Sequence, residues 1–257
     1  MAAPSQYEDR QMQIGRVFAR AFGTIGANPL SVFGIAFLFG ALPGALVSLA
    51  TQALTATGFT LGFALAGIVA ALASITFSMM TQGALVRITV AHAQEGRATP
   101  GEALWAGLRV VVPLFFLGLL LTLGVAFGFL LLVVPAVILY VMWSVAAPAL
   151  VEERCGVFAA FGRSRALTKG ARWKIFALEL VVLIFYWLIA AVIGVGAIFA
   201  GHLFNQGVVI LPWSIALGAL STTLTAAVWG TIQTSLYVEL RYWKDGPVRE
   251  RLADIFA

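Results

Sequence analysis

Residues 110–151 read VVVPLFFLGLLLTLGVAFGFLLLVVPAVILYVMWSVAAPALV and contain no charged side chain. A transmembrane helix needs about 20 consecutive apolar residues, so this stretch is too long for one crossing and fits two. Gly124, Gly128 and Pro135 offer places for a turn between the two crossings. The stretch therefore predicts an all-α protein that is integral to a membrane.

The composition of the whole chain indicates the same class. Of its 257 residues, 61% are hydrophobic and 11% are charged, and the mean hydropathy is +0.98. Soluble globular domains carry about 25% charged residues, so the excess apolar surface is expected to face lipid. We predict a single membrane domain over residues 1–257, and we find no secretory signal pattern in the first 28 residues.

Apolar stretches elsewhere raise the number of predicted transmembrane helices to six. These predicted spans are 30–54, 61–90, 110–131, 134–152, 174–201 and 210–239. All 16 Lys and Arg residues fall in four segments, 10–20, 87–109, 154–174 and 241–251. The loops near 53–60, 131–135 and 201–211 carry no charge. Six crossings place the four basic segments on one side, which the positive-inside rule makes cytoplasmic, together with both termini.

Three of the cytoplasmic segments show the period of an amphipathic helix. The first has an apolar stripe with Arg16 and Arg20 on the other face. The second opens with a capping box at 99–102, and the third runs from Val157 until Gly170 ends it. We expect these helices to lie in the membrane interface, with apolar faces toward acyl chains and basic faces toward headgroups.

Each interfacial helix precedes one outward span and one returning span. The predicted fold is therefore a polytopic all-α membrane protein with six transmembrane helices in three outward-and-back pairs. The repeat-like units are 10–92, 99–152 and 156–241, and a short cytoplasmic tail follows at 242–257.

Basic residues and a tryptophan beside the spans are candidates for binding lipid headgroups or a membrane partner. They are Arg16, Arg20, Arg109, Arg163, Arg165, Lys169, Arg172, Trp173, Lys174 and Arg241. This topology accounts for the net charge of +5. We therefore expect membrane phospholipids, preferably anionic ones, as partners, and we do not expect nucleic acid.

A second candidate site is polar and intramembrane, and its residues are Glu179, Gln82, Gln233 and Glu239. Ionisable residues inside a span are costly, so we favour an ion pair for Glu179. The candidate partners are Arg172, Lys174 and Arg241. A role for Glu179 in handling a ligand or a proton stays open. The hydroxyl-rich second and sixth spans either bind helices together or line a polar cavity.

The sequence contains no recognisable pattern of metal ligands, phosphate loop or activated nucleophile. His92 and His202 are predicted on opposite sides of the membrane, and the single Cys155 permits no intrachain disulfide. We therefore expect no cofactor, no metal and no catalytic site.

One cytoplasmic segment, residues 152–174, reads EERCGVFAAFGRSRALTKGARWK. It resembles the connector of the glycerophosphodiester phosphodiesterase membrane-domain family, with matches at Arg163, Ser164, Leu167, Thr168, Gly170 and Trp173. Ala166 stands near the place where an aromatic residue is usual. The last span ends in a similar Tyr–acid–Leu–Arg box, formed by Tyr237, Glu239, Leu240 and Arg241.

The resemblance extends in layout to related bacterial inner-membrane proteins of unknown function. It implies a multi-pass protein of the bacterial inner membrane. In the family members that are enzymes, a separate soluble barrel performs the hydrolysis. We therefore expect no phosphodiesterase activity from this chain.

Three functions stay open on the sequence. The first is a non-catalytic protein that binds or organises membrane lipids, or a membrane partner, through its cytoplasmic rim. The second is a transporter or permease for a small or lipidic molecule. The third is an intramembrane enzyme that acts on lipid, for which the candidate groups are Glu152, Glu153, Glu179 and Glu239.

Overall fold

The structure is a computed structural model that describes residues 12–56, 60–94, 99–204 and 210–246. These residues are 92% helical and include no strand. The predicted all-α class is therefore confirmed for this part of the chain.

The helices follow one another with short connections. In chain order they are α1 Ile14–Ala27, α2 Pro29–Ile35, α3 Leu42–Ala56, α4 Thr60–Ala93, α5 Pro100–Arg109, α6 Val111–Leu131, α7 Val133–Trp143, α8 Ala146–Glu153, α9 Val157–Thr168, α10 Arg172–Phe204 and α11 Ile210–Asp245. A π-helical segment, Ala36–Ala41, joins α2 to α3 without a break. Such wide turns are rare and occur often near functional sites.

Five stretches of the described helices are long and apolar enough to cross a membrane. They are Pro29–Leu49, Val111–Leu131, Val133–Glu153, Arg172–Gly196 and Ile215–Asp245. The predicted span 61–90 coincides with α4, which is not among the five, and several of its side chains lie outside the described residues. The chain is thus a membrane protein with several transmembrane helices. The count of six spans and their grouping in three pairs stay predictions.

The apolar stretch at 110–151 folds into a helical hairpin, as predicted. Helix α6 ends at Leu131 and α7 begins at Val133, so the turn is at Leu132, whose backbone is extended. The turn is therefore at none of the three residues that the sequence offered for it. Gly128 has a different role, because a Cβ on it would lie only 2.8 Å from Ala136 Cα. The missing side chain lets the two helices touch at the end of the hairpin.

The first helix predicted to lie in the cytoplasmic interface, α1, packs on protein. Val17 and Ala21 of α1 are fully buried in a cluster with Leu236 and Leu240 of α11. The second predicted interfacial helix, α5, also touches α4, since a Cβ on Gly107 would lie 2.5 Å from the backbone oxygen of Met80.

The third predicted interfacial helix, α9, buries the face that the sequence predicts as apolar. Ala160 and Leu167 are fully buried, and Ser164 Oγ donates a hydrogen bond of 2.9 Å to the Met142 carbonyl oxygen. The last carbonyl groups of a helix lack intrahelical partners, so α7 offers this acceptor. The expectation that these apolar faces point toward acyl chains is therefore wrong for the central residues of α1 and α9, which the spans cover, whereas Trp105 and Leu108 of α5 are 55% and 48% exposed.

Two predictions about the ends of these helices are confirmed. Thr99 caps α5, with Glu102 N donating to Thr99 Oγ1 at 3.3 Å and Thr99 N donating to the Glu102 carboxylate at 3.2 Å. Helix α9 ends before Gly170, whose φ of +90° is in the region that favours glycine.

Candidate functional site

Arg16 and Arg20, which we expected at lipid headgroups, turn inward to Glu239. Arg16 Nε donates to Glu239 Oε1 at 2.9 Å, and Arg20 Nη2 donates to Glu239 Oε2 at 3.4 Å. Arg20 also reaches the carbonyl oxygen of Ser235 at 3.3 Å. Glu239 is only 1% exposed, so this carboxylate depends on the two arginines for its compensating charge. The ion pairs of Glu239 therefore link α1 to α11. Glu239 is not part of an intramembrane polar site.

Arg163, another predicted headgroup residue, lies in a second ion-pair cluster. Its Nε donates to Glu153 Oε1 at 2.8 Å, and its guanidinium also binds the carboxylate of Asp245. Tyr237 Oη donates to the same Glu153 oxygen at 2.9 Å. The hydrogen bond to Asp245, aided by Glu153, raises the pKa of Arg163 above its usual range. This cluster joins the ends of α8 and α11 to α9.

Other predicted headgroup residues keep an exposed position. Arg165 and Lys169 are exposed, and Trp173 is 85% exposed. Lys174 donates a hydrogen bond of 3.2 Å to the Met12 carbonyl oxygen.

Arg172 and Arg241 are partly covered by protein. The Nε atom of each is buried without a hydrogen-bond partner in the described part of the chain. Only part of each guanidinium group is therefore accessible to a ligand at the predicted cytoplasmic rim.

A recess of about 770 Å³ opens between α4, α5, α6 and α8, at the end of the spans that the sequence predicts to be cytoplasmic. We call it the rim pocket. Its charged lining residues are Arg87, Arg109, Arg154, Glu102 and Glu152, and its apolar lining includes Trp105, Pro113, Leu150 and Val151. The guanidinium of Arg109 lies 4.9 Å from the centroid of the Trp105 ring, in a cation–π arrangement.

None of the rim-pocket arginines forms an ion pair with another described residue. Arg154 ends α8 with a φ of +48°, the one non-glycine residue with a positive φ in the described part of the chain. The sequence prediction included Arg109 but missed Arg87 and Arg154. The sequence could have identified both residues, because each lies at the predicted cytoplasmic end of an apolar span.

Cys155 also lines the rim pocket and is half-buried. Burial, and then the nearby negative charge of Glu153, raise the pKa of its thiol. Because the thiolate is the reactive form of cysteine, these surroundings make Cys155 a poor nucleophile near neutral pH.

A second cavity, of about 550 Å³, lies among the membrane spans, and we call it the membrane cavity. Its polar lining comes from α4, α6, α7, α11 and the residue after α7. These polar residues are Ser78, Thr81, Gln82, Thr122, Tyr140, Ser144, Ser221, Thr222, Thr225, Gln233 and Thr234, together with Tyr186 of α10. The hydroxyl-rich second and sixth predicted spans therefore line a cavity, which was one of the two interpretations left open.

Glu179 lies beside this cavity and not in an ion pair. Gln233 Nε2 donates to Glu179 Oε1 at 2.7 Å, and Tyr140 Oη donates to Glu179 Oε2 at 3.4 Å. No salt bridge to Glu179 is present among the described residues, so the favoured ion pair is wrong.

Helix geometry explains why the expected cations do not reach Glu179. Lys174 is five residues away, which turns it about 140° around the helix. Arg172 is on a similar face but about 10 Å further along the helix axis.

The structure thus brings together two of the four residues predicted for the intramembrane site, Glu179 and Gln233. Gln82 lines the same membrane cavity, and Glu239 belongs to the rim. Among the described residues, no group of His, Cys, Asp or Glu is arranged to hold a metal ion.

Comparisons with known proteins give no relative. No protein-family model, no curated protein and no solved structure matches the chain. The resemblance of residues 152–174 to the glycerophosphodiester phosphodiesterase membrane-domain family therefore stays a sequence prediction. The geometry of the two cavities is the basis for a functional proposal.

Proposed function

We propose that this chain is a non-catalytic membrane protein that binds phospholipids at its cytoplasmic rim, and that the rim pocket holds the phosphate of the headgroup. One observation carries the proposal: Arg87, Arg109 and Arg154 surround one recess and have no ion-pair partner among the described residues. The guanidinium group is planar and presents paired donors that match phosphate oxygens.

The lining of the rim pocket suits the rest of a phospholipid. Trp105 is amphipathic, as residues at the level of lipid headgroups commonly are, and is 55% exposed. Pro113 offers apolar surface next to the arginines, where the glycerol backbone and first methylenes would lie, and the largely buried Leu150 and Val151 complete the apolar lining. The arginines outnumber Glu102 and Glu152 in the lining, which favours an anionic or zwitterionic headgroup.

The backbone of Arg154 supports a role for its side chain. A left-handed conformation costs a residue with a Cβ about 1 kcal/mol or more, and glycine or asparagine adopts it more readily. Binding of the lipid phosphate by the Arg154 guanidinium would offset this conformational cost.

The positions of the acidic residues support a non-catalytic role. Acid–base catalysis needs groups that converge on one substrate. The four acidic candidates from the sequence do not converge: Glu152 lines the rim pocket, Glu153 and Glu239 are held in separate ion-pair clusters, and Glu179 lies beside the membrane cavity. The clustered basic residues support cytoplasmic termini. The placement in a bacterial inner membrane depends on the family resemblance of residues 152–174.

Native mass spectrometry of the purified protein with phosphatidylglycerol tests the proposal. We expect the triple variant Arg87→Gln, Arg109→Gln, Arg154→Gln to retain about tenfold less lipid, equivalent to about 1.4 kcal/mol. The matched control removes the same charge at the exposed positions Arg165→Gln, Lys169→Gln and Lys244→Gln, and should lose less than about twofold. Equal losses in both variants would show general electrostatic attraction and contradict a defined pocket.

A second candidate function, transport of a small or lipidic molecule, is favoured by the membrane cavity alone. Its polar lining among the spans is the kind of site at which a permease holds its cargo. Vesicles that contain the purified protein and a fluorescent phospholipid in both leaflets test this function. Exchange of the lipid between leaflets faster than in protein-free vesicles would support transport, and an unchanged rate would remove it for phospholipids.

A further inference from the structure

The membrane cavity presents hydrogen-bond acceptors more than donors. Thr81, Thr222 and Thr234 each donate their hydroxyl hydrogen to a carbonyl oxygen of their own helix, at 2.8–2.9 Å. Ser144 does the same at 3.0 Å. Because each hydroxyl has one hydrogen and two lone pairs, these side chains face the cavity with oxygen atoms that accept.

Gln233 adds a stronger acceptor. Its Nε2 donates to the Glu179 carboxylate, so its Oε1 points away from Glu179. This Oε1 atom is buried and has no hydrogen-bond partner in the part of the chain that the structure describes. A buried amide oxygen without a partner is costly, and a donor from a bound molecule in the cavity would satisfy it.

The charge of the lining narrows the chemical class of the ligand. No Lys, Arg, Asp or Glu is among the described residues that line the membrane cavity. A phosphate or carboxylate would find no cation there, and burying an unpaired charge is strongly unfavourable. An ammonium group would find no carboxylate in the lining either, because Glu179 is not a lining residue and its two oxygens accept from Gln233 and Tyr140. The ligand is therefore uncharged and carries groups that donate hydrogen bonds.

One wall of the same cavity is apolar. Leu114, Leu117 and Leu121 lie at helical spacing on α6 and line the same cavity as the hydroxyl-bearing residues of α4 and α11. The cavity volume of about 550 Å³ is within the usual range of small-molecule sites. The site thus accommodates a polar head and an adjoining stretch of hydrocarbon.

We infer that the membrane cavity binds the hydroxyl-bearing head of an uncharged lipid, of the glyceride or fatty-alcohol class, with Gln233 Oε1 accepting from a ligand hydroxyl. This inference does not rest on the rim pocket, because the two sites share no lining residue. A molecule with free hydroxyl groups is preferred over one of the same length without them.

Native mass spectrometry in lauryldimethylamine oxide, a detergent without hydroxyl groups, tests the inference. The probes are 1-monooleoylglycerol and methyl oleate, which share an acyl chain and differ in free hydroxyl groups. The wild-type protein is expected to retain monooleoylglycerol at least about tenfold better than methyl oleate. Equal retention of the two probes by the wild-type protein overturns the inference without the need for any variant.

Two variants locate the site. Thr225→Val combined with Gln233→Met removes polar groups from the lining, and we expect about tenfold weaker retention of monooleoylglycerol. The matched control is Thr76→Val, on an exposed threonine of α4 that does not line the cavity, and retention should not change. Undiminished monooleoylglycerol retention in the double variant contradicts the inference. Phosphatidylglycerol retention should be unaltered in both, so this result is independent of the rim-pocket proposal.

Discussion

Two buried glutamates on adjoining helices are stabilised in opposite ways. Glu239, at the predicted cytoplasmic rim, is 1% exposed and receives the guanidinium groups of Arg16 and Arg20. Glu179, beside the membrane cavity, is 6% exposed and receives only uncharged donors from Gln233 and Tyr140. The rim therefore combines opposite charges, whereas the membrane cavity is built from neutral hydrogen-bonding groups.

The difference shows which basic residues are candidates for binding. A guanidinium that already neutralises a buried carboxylate, as Arg16 and Arg163 do, is needed to hold helices together. The arginines of the rim pocket have no such commitment among the described residues and are available to a ligand. Counting basic residues near the membrane does not separate these two groups, while their contacts do.

Removing both arginines from Glu239 is expected to have the largest effect. The double variant Arg16→Gln, Arg20→Gln leaves a buried carboxylate without a cation, which should lower the free energy of unfolding by about 3 kcal/mol. Titration with sodium dodecyl sulfate in a mild detergent measures it. The control Arg165→Gln, Lys169→Gln should change stability by less than about 0.5 kcal/mol. A double variant that is as stable as this control would show that Glu239 does not depend on its arginines.

Replacing Arg163 by lysine should have an intermediate effect. Lysine keeps the charge but lacks the planar group that binds Glu153 and Asp245 together. Because these side chains are partly exposed, we expect a loss of about 1–2 kcal/mol, which the same titration measures. Arg165→Lys, on the same helix, should be neutral. A neutral Arg163→Lys would mean that charge alone holds this cluster.

Glu179→Gln should change stability little, by less than about 1 kcal/mol. No cation loses its partner, and the new amide can accept from Gln233 Nε2 while it donates to Tyr140 Oη. The free energy of unfolding of this variant is compared with that of the Arg16→Gln, Arg20→Gln variant by the same titration. The two glutamates are not stabilised differently if both changes cost the same free energy.

The smallest effect concerns the reactivity of Cys155. Its raised pKa lowers the thiolate fraction near neutral pH, so labelling with N-ethylmaleimide should be slow and should keep rising above about pH 8.5. Glu153→Gln removes a negative charge that raises this pKa, so the variant should label about twofold or more faster at pH 7.5. Mass spectrometry of timed samples measures both rates. A rate independent of Glu153 would place the cause in burial alone.

Features set by neighbouring residues were predictable from the sequence. The uncharged stretch at 110–151 predicts two spans, and the capping residues at 99–102 predict the start of α5. In both cases the physical cause lies within one or two helical turns of the chain. The turn at Leu132 lies within the predicted loop at 131–135. The close contact of Gly128 with Ala136 was not predictable, because it depends on the finished hairpin.

Features that join distant parts of the chain were not predictable. Arg16 and Glu239 are 223 positions apart, and Gln233 and Glu179 are 54 apart. The sequence identified all four residues as polar groups near spans, but only the packing of α1 and α10 against α11 decides their partners. The rim pocket is a similar case, since Arg87, Arg109 and Arg154 come from three separate segments.

The central claim is that the rim pocket holds a phospholipid phosphate. The most direct measurement is an electron cryo-microscopy structure of the protein in nanodiscs that contain phosphatidylglycerol. The account predicts a lipid whose phosphate oxygens lie within hydrogen-bond distance of at least two of the guanidinium groups of Arg87, Arg109 and Arg154. Ordered lipid phosphates beside Lys169 and Trp173, with only solvent in the rim pocket, would contradict it.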